Sequence, residues 1–330
     1  MTKLALTFAS CKYDRMEALR SGEVTVEGID LNMLVFPAGR EIFDRMIGGQ
    51  EFDVAELSAS EFISVCGRGD CPFVALPVFP SRIFRHGFIF VNTASDIRTA
   101  KDLEGRRVGV PLYTQTAAIW ARGLLADEFG VDLDRIDWVQ GAVEQAGSHG
   151  RPSAPPLLRP ARIEVNSSGA SLSQMLAAGE IDAYLGSRKI DGIGRDLRIA
   201  RLIPDYRAAE RAYFRRTGVF PIMHLVAIRR ALYERHPWIA TSLYKAFVAS
   251  KQRALARLRS GGSLGTMLPW QLADVDEIDE VFGGDPFPYG VEPNRPTLDA
   301  LLRHMTTQHF IRAGITVDEL FVPVRGGVGS

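Results

Sequence analysis

The sequence predicts an α/β fold made of two lobes. Apolar segments typical of strands alternate with segments typical of helices, which indicates sheets joined by helical crossover connections. The chain has 330 residues, a length that favours two lobes over a single core. Two strongly apolar strands of similar character, predicted at residues 87–91 and 218–228, lie far apart in the sequence.

Hydrophobic periodicity and turn residues predict the position of each element. Alternating apolar residues between positions 29 and 35 are typical of a strand, and a segment that begins at Ser171 and ends at Gly179 is typical of a capped helix. The predicted strands are residues 3–8, 26–36, 52–57, 73–78, 87–91, 107–110, 138–139, 181–185 and 218–228. The predicted helices are residues 40–47, 117–129, 171–179, 231–234, 241–258 and 297–312, with a long loop at 141–160.

Composition limits the kinds of binding partner and the cellular compartment expected for this protein. Lys+Arg and Asp+Glu are both 39, so the formal net charge is zero and we expect neither a nucleic-acid nor a membrane partner. The three cysteines, Cys11, Cys66 and Cys71, form no C-x-x-C pair, and we expect no disulfide framework and no zinc site. The N-terminus lacks signal-peptide features and no apolar run reaches transmembrane length, so we expect a cytoplasmic protein.

A basic cluster lies in the proline-rich stretch of residues 77–93. Arg82, Arg85 and His86 directly precede the predicted apolar strand, with no acidic residue among them. These side chains could be a solvated strand end that pairs with carboxylates from elsewhere. They could instead bind an anion, because a guanidinium group binds carboxylates bidentately and stays protonated. The absence of a local acid favours the anion-binding interpretation.

Several motifs stand out along the chain: Pro77-Val-Phe-Pro-Ser-Arg-Ile-Phe-Arg-His86, Arg107-Val-Gly-Val-Pro111, Gln115-Thr-Ala117, Arg122-Gly-Leu-Leu125, residues 172–183, Thr217-Gly-Val-Phe-Pro-Ile-Met-His224 and His236-Pro-Trp238. These motifs resemble those of the 4,5-dihydroxyphthalate decarboxylase family, and the resemblance runs from the first strand to about Trp270. The resemblance implies a cytoplasmic aromatic-acid decarboxylase. Two positions depart from the family pattern: Leu112 stands where a glutamate is usual, and Arg188 is followed by Lys189-Ile190 instead of prolines.

The order of the elements also resembles the two-lobe type II periplasmic-binding-protein-like fold. That resemblance implies a ligand cleft between the lobes and two chain crossings, near residues 88–93 and 218–225. Lobe 1 would then comprise residues 1–90 and 219–330, and lobe 2 residues 91–218.

The implied reaction sets the groups that a site must supply. When a ring hydroxyl lies ortho or para to the departing carboxylate, the ring itself accepts a proton at the ipso carbon, and we expect no cofactor and no metal. A general acid is then required for that carbon, a hydrogen bond or a base for the phenol, and an anchor for the carboxylate that stays. A cation on the departing carboxylate would stabilise the ground state more than the transition state, so we expect Arg82 and Arg85 to hold the other carboxylate.

Two histidines are the candidate proton donors, because histidine titrates near neutral pH. His86 follows Arg85, and His224 lies in the apolar strand, where it could equally be a core histidine. Glu56 follows a buried strand and could hydrogen-bond a ring hydroxyl or simply begin a helix, and Ser58 is close to it. Phe220 is expected to wall an apolar niche for the departing carboxylate.

Further substrate-binding residues are predicted at the start of a helix and at the end of a strand. Free N–H groups and hydroxyls at a helix start can bind a carboxylate, although ordinary N-capping explains threonine there equally well. These candidates are Tyr113, Thr114, Gln115, Thr116 and Arg188. Cys11 has no evident base partner and is not expected to be a nucleophile.

Two other functions remain open at this point. The same fold could serve as a solute-binding protein for an aromatic carboxylate, since a fold does not fix a function. Leu112 also leaves room for another lyase on the same scaffold. A homo-oligomer is an open alternative to a monomer.

Overall fold

The computed structural model describes residues 2–150, 154–262 and 264–325. Two compact units make up the chain. Unit one comprises residues 1–82, 222–299 and 315–330, and unit two comprises residues 83–221 and 300–314. The lobe boundaries predicted near residues 90 and 218 remain predictions. The chain passes from unit one to unit two between residues 82 and 83 and returns to unit one between residues 221 and 222.

Unit one is built on a five-stranded sheet with the order β2-β1-β3-β11-β4. β1, β2 and β3 are parallel, and β11 runs antiparallel to both β3 and β4. Its strands are β1 (Leu4–Cys11), β2 (Ile29–Phe36), β3 (Val54–Ser58), β4 (Phe73–Arg82) and β11 (Ile222–Arg229). Its helices are α1 (Glu17–Arg20), α2 (Gly39–Gly49), α3 (Ala59–Cys66), α7 (Arg230–Arg235), α8 (Trp238–Arg259), α9 (Gln271–Phe282) and α11 (Val317–Leu320).

The core of unit one lies where α8 and the α1 region pack on the sheet. Phe8 of β1 meets Phe247 of α8 edge to face, with ring centroids 5.2 Å apart. Pro77 and Pro80 lie in β4, the last strand of the sheet, where a residue that cannot donate to a ladder is tolerated.

Unit two is built on a six-stranded sheet with the order β10-β5-β9-β6-β7-β8. β5 runs antiparallel to β9 and β10, whereas β9, β6, β7 and β8 are parallel. Its strands are β5 (Ile89–Asn92), β6 (Arg107–Val110), β7 (Asp137–Gln140), β8 (Ile163–Val165), β9 (Ala183–Leu185) and β10 (Ile199–Arg201). Its helices are α4 (Thr116–Phe129), α5 (Leu172–Ala178) and α6 (Tyr206–Thr217), and α10 (Arg295–Thr307) contains residues of both units.

The helix α5 shows how local sequence sets an element. Ser171 caps its start: the Ser171 hydroxyl accepts from the Gln174 N–H at 3.2 Å, and the Gln174 side chain accepts from the Ser171 N–H at 2.8 Å. Gly179 ends it in the left-handed conformation, at φ 77°. This capped helix is confirmed as predicted, and its buried Leu172 and Leu176 join the core of unit two.

The sequence analysis predicted no element at β8, β10, α1, α9 or α11. The loop predicted at residues 141–160 includes residues 151–153, which lie outside the described residues. In the described parts of the chain, no helix combines the length and the apolar character needed to cross a membrane.

The expectation for the cysteines is wrong for one pair. Cys66 and Cys71 form a disulfide, while Cys11 is a free thiol. The pairing arises because α3 ends at Cys66 and the chain turns back into β4 within a few residues, which brings the two Cα atoms to 4.5 Å. A spacing of five residues without a C-x-x-C pattern carried no signal for this turn.

Candidate functional site

Polar residues collect at the carboxyl edge of the unit-one sheet. β1 ends at Cys11, β3 at Ser58 and β4 at Arg82, and the antiparallel β11 begins at this edge. His224 of β11 is therefore in register with Ser58, two positions from Glu56 on the neighbouring strand. Ligands of open α/β sheets bind outside the carboxyl ends of the strands, so this edge is the expected location of a site.

Glu56 is the centre of this edge. Its side chain is 0% exposed and accepts three hydrogen bonds. His224 Nδ1 and the Tyr13 hydroxyl each lie 2.5 Å from Oε1, and the Cys11 N–H donates to Oε2 at 2.7 Å. A carboxylate that receives three donors is satisfied without water.

These contacts determine the charge states in the cluster. Burial alone would raise the pKa of Glu56, but the hydrogen bond and charge of His224, together with the Tyr13 and Cys11 donors, lower it below its usual value. Burial and the Glu56 charge raise the pKa of Tyr13 well above its usual range. The same two causes raise the pKa of the Cys11 thiol to about 12, so Cys11 is not a thiolate at neutral pH.

His224 is held in one orientation with one ring nitrogen left over. Because the Glu56 carboxylate only accepts, the Nδ1 of His224 carries the proton of this hydrogen bond. Within the described residues Nε2 makes no hydrogen bond, and the side chain is 23% exposed. The Phe43 ring meets the imidazole edge to face at 5.0 Å. A histidine with one nitrogen bound to a buried carboxylate and the other unoccupied has the arrangement of a general acid–base.

Arg40 also lies near the Phe43 ring, with its guanidinium carbon 5.4 Å from the ring centroid. The buried Glu61 holds this guanidinium bidentately, at 2.6 and 2.9 Å, and Asp44 binds it at 2.7 Å. The positive charge of Arg40 is therefore already neutralised by two carboxylates, those of Glu61 and Asp44.

The basic cluster read from the sequence is divided between the units. Arg82, in unit one, is buried, donates to Asn294 Oδ1 and lies 5.7 Å from the Phe79 ring centroid. Its burial lowers the pKa of Arg82 to about 9, against the opposing charges of Asp285 and Tyr289. Asn294 belongs to the same unit, and a role of Arg82 in substrate binding stays a prediction.

Arg85 and His86 belong to unit two, before β5. Arg85 is 2% exposed and donates to the Gly186 carbonyl at 3.3 Å, and burial lowers its pKa to about 10. His86 is 3% exposed, and burial, followed by the charge of Arg216, lowers its pKa to about 4. Thus His86 is a neutral imidazole at neutral pH.

Glu210 of α6 faces His86 and was missed from the sequence. Its Oε1 lies 4.0 Å from His86 Nδ1 and accepts from the Gly87 N–H at 3.3 Å. Burial raises the pKa of Glu210 to about 7, although Gly87, Arg85 and Arg201 oppose this. Only glycine allows α6 so close, since a Cβ on Gly87 would be 2.6 Å from the Tyr206 ring.

The segment before α4 contains the other predicted binding residues. The Tyr113 N–H donates to Gln140 Oε1 at 2.8 Å, and Gln115 Nε2 donates to Ser187 Oγ at 3.1 Å. Gln115 is the N-cap and Thr116 the first residue of α4, so residues 113–116 and the loop after β9 meet at one edge of the unit-two sheet. Arg188 is exposed in that loop, and Phe220 stacks on Phe84 at 4.5 Å.

Arg122 stabilises the segment that precedes α4. It is 0% exposed, donates to the Tyr113 carbonyl at 2.9 Å and to Gln308 Oε1 at 2.8 Å, and lies 3.7 Å from the Tyr113 ring centroid. We expect Arg122→Ala to lower the free energy of unfolding by about 2–4 kcal/mol, since it leaves a cavity and unpaired acceptors. Urea unfolding would measure this, with the exposed Arg162→Ala as control, for which a change of about 0–1 kcal/mol is expected. Equal losses in both variants would contradict the supporting role.

Comparison of folds gives the class of protein. The periplasmic aliphatic sulphonate binding protein SsuA from Escherichia coli matches with a TM-score of 0.54 over 97% of this chain and 98% of that one, at 12% sequence identity. The chain therefore has the two-lobe α/β fold of the periplasmic solute-binding proteins, and the predicted type II periplasmic-binding-protein-like fold class is confirmed.

Comparison of sequences gives the family. No model of a known protein family matches the sequence. A 4,5-dihydroxyphthalate decarboxylase from Comamonas testosteroni is 35% identical over 327 residues, which cover 98% of each chain. Another from Pseudomonas putida is 39% identical over 191 residues, 57% of this chain and 72% of its own. This chain belongs to the 4,5-dihydroxyphthalate decarboxylase family, as its motifs predicted.

Proposed function

We propose that this protein decarboxylates 4,5-dihydroxyphthalate to protocatechuate and carbon dioxide. Family membership supports the substrate, because both relatives are named for that decarboxylation. The observation that carries the chemistry is the contact of His224 with the buried Glu56, which provides a proton donor at the carboxyl edge of the unit-one sheet.

His224 delivers the proton in this proposal. A ring hydroxyl para to the departing carboxylate pushes an electron pair into the ring, and the ipso carbon takes the proton from His224 Nε2. The bond to the carboxylate then breaks, carbon dioxide leaves, and its electron pair restores the aromatic ring. One proton is consumed, and Glu56 stabilises the imidazolium that donates it.

His224 is a better donor than His86 for two physical reasons. His224 has a carboxylate partner at 2.5 Å and a partly exposed ring, whereas His86 is 3% exposed and its pKa is lowered to about 4. A general acid must hold its proton near the working pH. His86 is instead suited to remain neutral beside Glu210.

The roles of the other residues predicted from the sequence remain predictions. Glu56 acts in this proposal through His224, because its oxygens are already occupied by three donors. A direct hydrogen bond from the ring hydroxyl to Glu56, expected from the sequence, stays a prediction. The same holds for substrate binding by Arg82, Arg85, Ser58, Tyr113, Thr114, Gln115, Thr116, Arg188 and Phe220.

A turnover assay tests the proposal. We expect the purified protein to convert 4,5-dihydroxyphthalate to protocatechuate with release of one equivalent of carbon dioxide. Chromatography would measure the protocatechuate, and trapping would measure the carbon dioxide. Parallel reactions with a chelator test the proposed independence from metal, and cell fractionation tests the proposed cytoplasmic location. Binding without turnover would overturn the proposal in favour of a solute-binding protein. Turnover only of a different carboxylated ring would point to another lyase.

A further inference from the structure

Tyr13 completes the contact between Glu56 and His224. Its hydroxyl lies 2.5 Å from the same carboxylate oxygen, Oε1, that the His224 Nδ1 binds at 2.5 Å. Cys11 donates from the backbone to the other oxygen. Two donors from the end of β1 and one from β11 therefore converge on a carboxylate that no water reaches.

The Tyr13 hydroxyl can only donate here. Its ring is half-buried, and the guanidinium carbon of Arg15 lies 4.3 Å from the ring centroid. Because burial and Glu56 raise the pKa of Tyr13, the phenol keeps its proton throughout the working range. Tyr13 thus stabilises negative charge on Glu56 and is too weak an acid to replace His224 as the proton donor.

We propose that Tyr13 is a positioning residue that keeps the Glu56 carboxylate charged, so that the proton shared with His224 stays on Nδ1 and the imidazolium can give up its Nε2 proton to the substrate. The inference rests on the proposed function for the role of His224. It assigns to Tyr13 an effect on a proton position, which a purely structural role would not have.

Removing the hydroxyl has a defined consequence. Glu56 would stay buried with one donor fewer, so its pKa would rise, and Cys11, Arg15 and His224 are the other titratable or charged groups around this pair. If the proton between them moves to Glu56, His224 becomes a neutral imidazole, whose Nε2–H is too weak an acid to protonate the ipso carbon. Activity requires the ionised Glu56, so the acid limb of the pH–rate profile moves to higher pH. A hydrogen bond to a charged group corresponds to a shift of about one to two pH units.

The test compares Tyr13→Phe with Tyr289→Phe. Tyr289 is also a buried tyrosine of unit one, and its hydroxyl has no hydrogen-bond partner among the described residues, so its loss removes an equivalent atom without touching Glu56. We would measure kcat and KM for 4,5-dihydroxyphthalate from about pH 4 to about pH 9. In Tyr13→Phe we expect kcat to fall on the acid side and to approach the wild-type value as the pH rises to the range where Glu56 is ionised, with KM little changed. Tyr289→Phe should follow the wild type.

A second readout needs no substrate. Nitrogen-15 spectra show which ring nitrogens of a histidine carry protons, and the His224 signals are assigned by their loss in His224→Gln. We expect Nδ1 to keep its proton beside Glu56 in the wild type, and in Tyr13→Phe to lose it to Glu56 as the pH falls. An unchanged acid limb and an unchanged proton position would overturn the inference. A wild type without turnover would overturn the proposed function, while the spectra would still decide the role of Tyr13.

Discussion

Replacing His224 by glutamine is expected to lower kcat by about two to four orders of magnitude, the range that general acid catalysis contributes. Glutamine fills a similar volume and can still donate a hydrogen bond to Glu56, so the edge of the sheet should keep its structure. It cannot release a proton to the ipso carbon. KM should change much less than kcat, because the lost interaction belongs to the transition state.

Two further variants make this result specific. His236→Gln removes a histidine that follows α7, away from the carboxyl edge of the unit-one sheet, and should leave kcat at the wild-type level. His86→Gln tests the rival donor in unit two. If His86→Gln abolished turnover while His224→Gln preserved it, the proton donor would be His86 and the role of the Glu56–His224 contact would be wrong.

The longer strands and the helices with clear caps could be predicted, and the shortest strands could not. β4 and α5 carry local signals, namely prolines at a sheet edge and a serine–glycine pair around a helix. β8 and β10 have three residues each, too few for a period to be visible. α9 has apolar residues at helical spacing, Leu272, Val275 and Ile278, so its pattern was visible in the sequence and the prediction overlooked it.

The candidate site was predicted as residues but not as contacts. Glu56 and His224 were both selected, yet they are 168 positions apart, and only the pairing of β3 with β11 brings them together. Tyr13 had one usable signal, since it follows directly on the end of the first strand. Conversely, Arg82 and Arg85 are close in the sequence, but Arg82 bonds Asn294 in unit one and Arg85 bonds Gly186 in unit two. Their joint role in binding an anion stays a prediction.

Replacing Glu56 by glutamine should lower both kcat and stability. Three donors converge on the carboxylate, whereas glutamine offers one acceptor oxygen and adds donors of its own. An unpaired buried donor costs about 1–3 kcal/mol, so we expect a loss of that size in the free energy of unfolding. Without the carboxylate charge the imidazolium is less stable, and kcat should fall by about one to two orders of magnitude.

The stability difference should also depend on pH. The pKa of Glu56 is lower in the folded protein than its unfolded value of about 4.3, so its contribution is complete above that value and is lost as the pH falls through the folded pKa. Urea unfolding of wild type and Glu56→Gln should therefore converge in acid. A difference that stayed constant down to low pH would mean that Glu56 acts through shape alone.

Asp53→Asn separates catalysis from stability in the same strand region. Asp53 precedes β3 at its other end, accepts from the Thr7 N–H at 2.9 Å and from the Thr7 hydroxyl at 3.0 Å, and pairs with Arg229. Its loss should also destabilise unit one while leaving kcat unchanged. If Asp53→Asn lowered kcat as much as Glu56→Gln does, the effect of Glu56 would follow from weaker folding. A selective loss in Glu56→Gln would instead tie turnover to the charge beside His224, since both variants remove one carboxylate that serves several donors.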